Sequence, residues 1–130
     1  MSYVLIIDDD EDFASVAADV LRSDGQEVNM ELSIEKGRKS LSERVPDLLI
    51  LDVMFPESSQ AGFLLAREIR QSDEAYKAVP IVLLTAVNAE FPVGFSTSDI
   101  DDNWMPVEDF IEKPVDLDVL KSRVAKMLAG

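Results

Sequence analysis

Short, wholly apolar runs alternate along this chain with longer stretches in which apolar positions recur every three or four residues. Residues 4–7, 48–51 and 81–84 hold no charge. Such runs suit strands covered on both faces. Residues 27–32 alternate instead, with Val28, Met30 and Leu32 apolar, the mark of a half-buried strand. A short fifth strand is expected over 109–112. Helical spacing appears between these runs. Phe13, Val16, Ala17, Val20 and Leu21 predict a helix over 12–24, stopped by Gly25. A weaker helix is predicted over 34–44 with Ser33 as its cap. A third is predicted over 61–72, burying Phe63, Ala66 and Ile69. Asp116 caps a last helix that buries Leu117, Leu120, Val124 and Leu128. Strand alternating with helix predicts an α/β fold, a doubly wound five-stranded parallel sheet with helices on both faces. Ligands of such sheets bind beyond the carboxyl ends of the strands, where strand order reverses.

Residues 87–107 do not fit the alternation. They hold Pro92, Gly94 and Pro106, the acids Asp99, Asp101 and Asp102, and the single tryptophan, Trp104. Irregular structure with at most a short helix is expected there, in place of a regular fourth helix. Trp104 and Phe95 read as anchors of that loop, and the three acids as a solvated face.

The chain has 130 residues, enough for one compact domain, and 47% of them are apolar. There is no cysteine and no histidine, so thiolate chemistry, zinc held by histidine and imidazole acid–base catalysis are excluded. No apolar stretch is long enough to span a bilayer, and no basic leader precedes the first strand; a cytoplasmic location is expected. The net charge of −14, from 26 acidic and 12 basic residues, repels nucleic acid and anionic lipid. Neither is expected as a direct partner.

Four kinds of polar chemistry stand at the ends of the apolar runs. Asp8, Asp9 and Asp10 follow the first, Asp52 the second and Thr85 the third, and Lys113 follows Phe110-Ile111. Crowded carboxylates repel one another unless a cation sits among them. Asp9 and Asp52 could hold magnesium, which prefers oxygen ligands and keeps several waters. An ion there would neutralise and polarise a phosphoryl group. A carboxylate attacking phosphorus gives an acyl phosphate, with Lys113 meeting the charge on the phosphoryl oxygens and Thr85 able to hydrogen-bond them. Such transfer needs little beyond positioning and charge compensation, so the missing histidine is no obstacle. Asp10, Glu11 and Asp12 are read as acids complementing a helix N-terminus.

With these residues in view, the chain resembles the receiver domains of bacterial two-component response regulators. The segments that carry the resemblance are Val4-Leu5-Ile6-Ile7-Asp8-Asp9-Asp10, Leu48-Leu49-Ile50-Leu51-Asp52-Val53-Met54-Phe55-Pro56, Val82-Leu83-Leu84-Thr85-Ala86 and Phe110-Ile111-Glu112-Lys113-Pro114. They keep the family's order and cover nearly the whole chain. The resemblance implies a flavodoxin-like receiver topology. Residues 1–130 are expected to form a single receiver domain with no output domain, either a stand-alone receiver or a fragment of a longer protein. The resemblance also implies that Asp52 is the phosphoacceptor. Asp9 and the backbone carbonyl of Met54 would join Asp52 on Mg2+, with Asp8 reaching the metal through water. Thr85 and Lys113 would contact the phosphoryl group, Thr85 and Phe110 would act as the switch, and the Lys113-Pro114 bond would be cis. The implied phosphodonor is a sensor histidine kinase or a histidine phosphotransfer protein. The domain would not be an enzyme beyond promoting its own phosphorylation and dephosphorylation, and it would change partner binding or relay phosphate.

Two features depart from the family pattern. The loop between Pro56 and Gly62 is longer by about two residues, and the 87–107 segment lacks the usual small-residue helix ending. Met54 and Val87 stand where side chains usually flank the water path to the acyl phosphate. Both are apolar, so slow intrinsic dephosphorylation is expected. Two other classes fit the residues less well. A phosphatase with an aspartyl nucleophile usually needs an acid at position 54, which is methionine. A flavodoxin-like cofactor binder needs a first loop rich in Gly, Ser or Thr, where this chain has Asp8-Asp9-Asp10-Glu11-Asp12.

Overall fold

The computed structural model describes residues 2–53, 55, 61–85 and 107–129, with the side chains of Thr85 and Phe110 set aside. Five strands, β1 (Tyr3–Ile7), β2 (Glu27–Glu31), β3 (Leu48–Asp52), β4 (Ile81–Thr85) and β5 (Asp109–Glu112), alternate with helices α1 (Glu11–Ser23), α2 (Ile34–Glu43), α3 (Ala61–Gln71) and α4 (Leu117–Ala129). The sheet is wholly parallel, in the order β2-β1-β3-β4-β5. This is the flavodoxin-like order, and its direction of winding reverses between β1 and β3. The 87–107 expectation falls almost wholly outside the described residues; Val107, at its end, is buried.

Side chains on successive strand residues point to opposite faces, and the sheet divides its core accordingly. Tyr3, Leu5, Ile7, Leu49, Leu51, Ile81 and Leu83 pack with Leu41 of α2 and Phe63, Ala66 and Ile69 of α3. Val4, Ile6, Leu48, Ile50, Val82 and Leu84 pack with Ala14, Ala17, Ala18 and Leu21 of α1 and Leu120 and Val124 of α4. Unbroken apolar runs are thus needed because both faces of β1, β3 and β4 are covered.

The caps follow the sequence closely. Asp10 Oδ1 accepts from the Phe13 N–H at the start of α1. Ser33 Oγ accepts from the Lys36 N–H at the start of α2, and Asp116 Oδ1 from the Asp118 and Val119 N–H groups before α4. Gly25 ends α1 at φ 93°, and paired bonds from Gly25 N to Arg22 O and Gln26 N to Leu21 O close the turn. These bonds form a Schellman motif, which needs the left-handed backbone that glycine adopts freely.

The inward face of α1 differs from expectation. Val16 is 48% exposed, and the buried stripe is Ala14, Ala17, Ala18 and Leu21. Small residues let the helix axis approach the sheet, so burial follows size as well as hydropathy. Leu117 and Leu128 of α4 are only partly buried.

Candidate functional site

Parallel pairing with a fixed register sets the site. Val4 to Ile7 face Leu48 to Leu51, so the next step brings Asp8 level with Asp52. Asp8 lies two residues past Ile6 and Asp52 two residues past Ile50, so both turn toward the same layer as those two side chains. The ladder continues beyond the strands on either side: the Asp8 N–H donates to Glu31 O (3.1 Å), and the Val53 N–H donates to Leu84 O (3.1 Å). Asp52 faces Leu84 in β4, and Thr85 faces Glu112 in β5. Lys113 follows the last residue of β5 directly, and the Lys113-Pro114 bond is cis, as expected.

Asp8 is fully buried and Asp52 is 5% exposed, whereas Asp9 is exposed. Carboxylate oxygens of all three lie within 4.8 Å of one another. Lys113 Nζ donates to Asp8 Oδ2 (3.2 Å) and lies 3.4 Å from Asp52 Oδ1. The other oxygen of Asp8, Oδ1, accepts from the Asp10 N–H (2.9 Å). One ammonium therefore stands among three acids. Its charge does not balance theirs.

The electrostatics record that deficit. Burial, then the charge of Asp8, pushes the Asp52 carboxyl up to about 7, against the pull of Lys113. Partial burial and the Asp8 charge also raise Asp9. Burial works against the Lys113 ammonium, but the charges of Asp8 and Asp52 outweigh it and raise its pKa. A carboxyl whose pKa is raised by burial and one acidic neighbour is a group that a divalent cation would ionise.

The structure brings Asp8, Asp9, Asp52 and Lys113 together. The backbone of Thr85 ends β4 beside them; its side chain, the side chain of Phe110, and Met54 lie outside what the structure describes. Two contributors were missed. Gly62 opens α3 against the end of β3: its N–H donates to Val53 O (2.9 Å), and a Cβ there would overlap the Asp52 carbonyl oxygen. Gly37 lets α2 lie on Ile7, the residue before Asp8; a Cβ there would stand 2.8 Å from Ile7 Cγ1. A helical glycine at core-facing spacing was the available signal for Gly37.

Residues 4–125 match the response regulator receiver domain family. The chain belongs to that family. Among curated relatives, the receiver is 35% identical to the transcriptional regulatory protein AfsQ1 of Streptomyces coelicolor, over 98% of this chain and 52% of that protein. It is 33% identical to the phosphate regulon transcriptional regulatory protein PhoB of Rhizobium meliloti, over 96% of this chain and 51% of that one. The receiver thus spans about half the length of these relatives. A crystal structure of a Chloroflexus aurantiacus protein superposes with a TM-score of 0.79 at 32% identity, covering 99% of the receiver and 98% of that chain. A two-component response regulator from Clostridium difficile shares the fold, with a TM-score of 0.80 at 23% identity over 99% of the receiver and 97% of that chain. Among the described residues no helix is long and apolar enough to cross a membrane.

Proposed function

We propose that the receiver accepts a phosphoryl group on Asp52 and that Asp9, Asp52 and the Met54 carbonyl hold Mg2+. The observation that carries this reading is the cluster of carboxylate oxygens from Asp8, Asp9 and Asp52 with Lys113 beside it. The donor set fits a hard divalent ion, being all oxygen and carrying more negative charge than one lysine offsets. Both oxygens of Asp8 are engaged, by Lys113 and by the Asp10 N–H, so Asp8 would reach the ion through water. When bound, the ion would neutralise phosphoryl charge and keep Asp52 ionised.

The remaining chemistry belongs to the chain. An Asp52 carboxylate oxygen attacks phosphorus, forming a new P–O bond. The donor's bond to phosphorus breaks, and its electron pair leaves with the donor group. No proton has to be removed from the nucleophile. Lys113, already positioned by Asp8, turns its charge to the phosphoryl oxygens. Thr85 follows those oxygens with its hydroxyl, and Phe110 serves with it as the switch.

In this reading the donor is a phosphohistidine on a sensor kinase or a phosphotransfer protein, and the receiver acts in the cytoplasm. The output is altered affinity for a protein partner or onward relay of phosphate. The charge of −14 argues against direct contact of this domain with nucleic acid. An aspartyl phosphatase is not favoured, because methionine at position 54 offers no acid for the leaving group. Borohydride reduction of the phosphorylated protein, followed by peptide mapping, tests the site. Conversion at position 52 is expected; conversion at position 8 or 9 with position 52 intact would contradict the assignment.

A further inference from the structure

Phe13 lies in the first turn of α1, half-buried against the α1–α4 side of the core. Lys113 Nζ sits over its ring, 5.3 Å from the centroid. That is within the range at which the negative face of an aromatic ring attracts a cation. The same ammonium is 3.2 Å from Asp8 and 3.4 Å from Asp52, and its side chain is 24% exposed.

We infer that Phe13 is a positioning residue for the phosphoryl-transfer reaction, holding the Lys113 ammonium in place through its ring face. The inference rests on the reading of Asp52 as phosphoacceptor. Lysine carries its charge on a flexible four-carbon stem, and that freedom must be lost for the ammonium to be useful. Asp8 and Asp52 restrain it in the resting site, but their charge is shared out once a divalent ion and a phosphoryl group arrive. The ring does not ligate hard cations and carries no charge to be neutralised. Among the described contacts of Lys113, it is the one that neither newcomer competes for. A phenylalanine at the start of α1 would otherwise be ordinary packing, and the experiment must separate the two roles.

The test measures initial phosphorylation of the whole chain by acetyl phosphate with Mg2+, alongside thermal melts. Phe13→Leu keeps apolar bulk but removes the ring face; Phe13→Tyr keeps the face. Phe13→Leu should slow the rate about threefold to tenfold, and Phe13→Tyr should restore it to within about twofold. In a Lys113→Gln background, Phe13→Leu should have almost no further effect, because the group it positions is gone. A ring-current shift of the Lys113 ε-methylene protons should be present in the wild type and in Phe13→Tyr, and absent in Phe13→Leu. An unchanged rate in Phe13→Leu, or an equal loss in both backgrounds, would overturn the inference while the phosphoacceptor reading stands. A wild-type protein that stays unmodified would overturn both.

Discussion

Asp8 and Asp52 stand level with each other across the β1–β3 ladder, and the ammonium of Lys113 reaches both, at 3.2 and 3.4 Å. Two buried acids on neighbouring strands share one cation, and burial, then the charge of Asp8, pushes the Asp52 carboxyl up to about 7.

Its first consequence is a pH-dependent cost in metal-free protein. The folded Asp52 pKa is raised from 3.8, so between about pH 4 and 7 the folded state binds a proton that the unfolded chain has released. This contribution to stability is present below pH 4 and lost as pH rises through 7. Asp52→Asn cannot ionise. Without metal it should exceed the wild type in stability by about 1–3 kcal/mol at pH 8, with the gap closing toward pH 4. Urea melts at the two pH values measure this; a gap that does not change with pH would contradict it.

Gly62 should tolerate no side chain. A Cβ would stand 2.7 Å from Val53 Cα and overlap the Asp52 carbonyl oxygen, and both are backbone atoms that cannot swing aside. Gly62→Ala should cost about 1–3 kcal/mol and weaken Mg2+ binding, because relief requires moving the end of β3. Gly37→Ala meets only the side chain of Ile7 and should cost less. Thermal melts with and without Mg2+ compare the two.

Arg70 ties the opposite end of the sheet. Its guanidinium donates to the Lys77 and Val79 carbonyls and pairs with both Glu108 oxygens, while Glu108 also accepts from the Ile81 N–H. The side chain of Arg70 is only 10% exposed, so screening by solvent is limited. Arg70→Ala should lose about 1–3 kcal/mol of stability. Ile81 and Glu108 lie at the amino ends of β4 and β5, remote from Asp52, so phosphorylation by acetyl phosphate should stay within about twofold of the wild type. A large loss of rate at unchanged stability would show that this network reaches the site.

By the family pattern Met54 and Val87 would flank the path of an attacking water, and both side chains are apolar. Replacing them, as Met54→Asn with Val87→Glu, should speed decay of the phosphorylated form by about tenfold. Decay followed by intact mass checks this, and unchanged or slower decay would contradict it.

The elements were legible because their periods differ. Wholly apolar runs such as 48–51, short and opened by Pro46, read as strands covered on both faces, and Asp52 and Lys113 are conspicuous as charges closing such runs. The inward face of α1 was not legible. Val16 and Ala14 lie on different stripes of one helix, and hydropathy prefers the valine, whereas close approach to the sheet prefers the alanines. The ion pair between Lys113 and Asp8 joins opposite ends of the chain, and no local pattern encodes it. Gly62 was noticed as a marker of loop length. Its physical role emerges only once α3 is seen to begin against the Asp52 carbonyl. No local pattern marks Arg70 and Glu108 as partners before the fold brings them together.

Intact mass after incubation with acetyl phosphate tests the central claim most directly. The wild type should gain about 80 Da only when Mg2+ is present, and Asp52→Asn should gain nothing under the same conditions. An equal gain in Asp52→Asn, or a gain in the wild type that survives removal of Mg2+ by a chelator, would contradict the account.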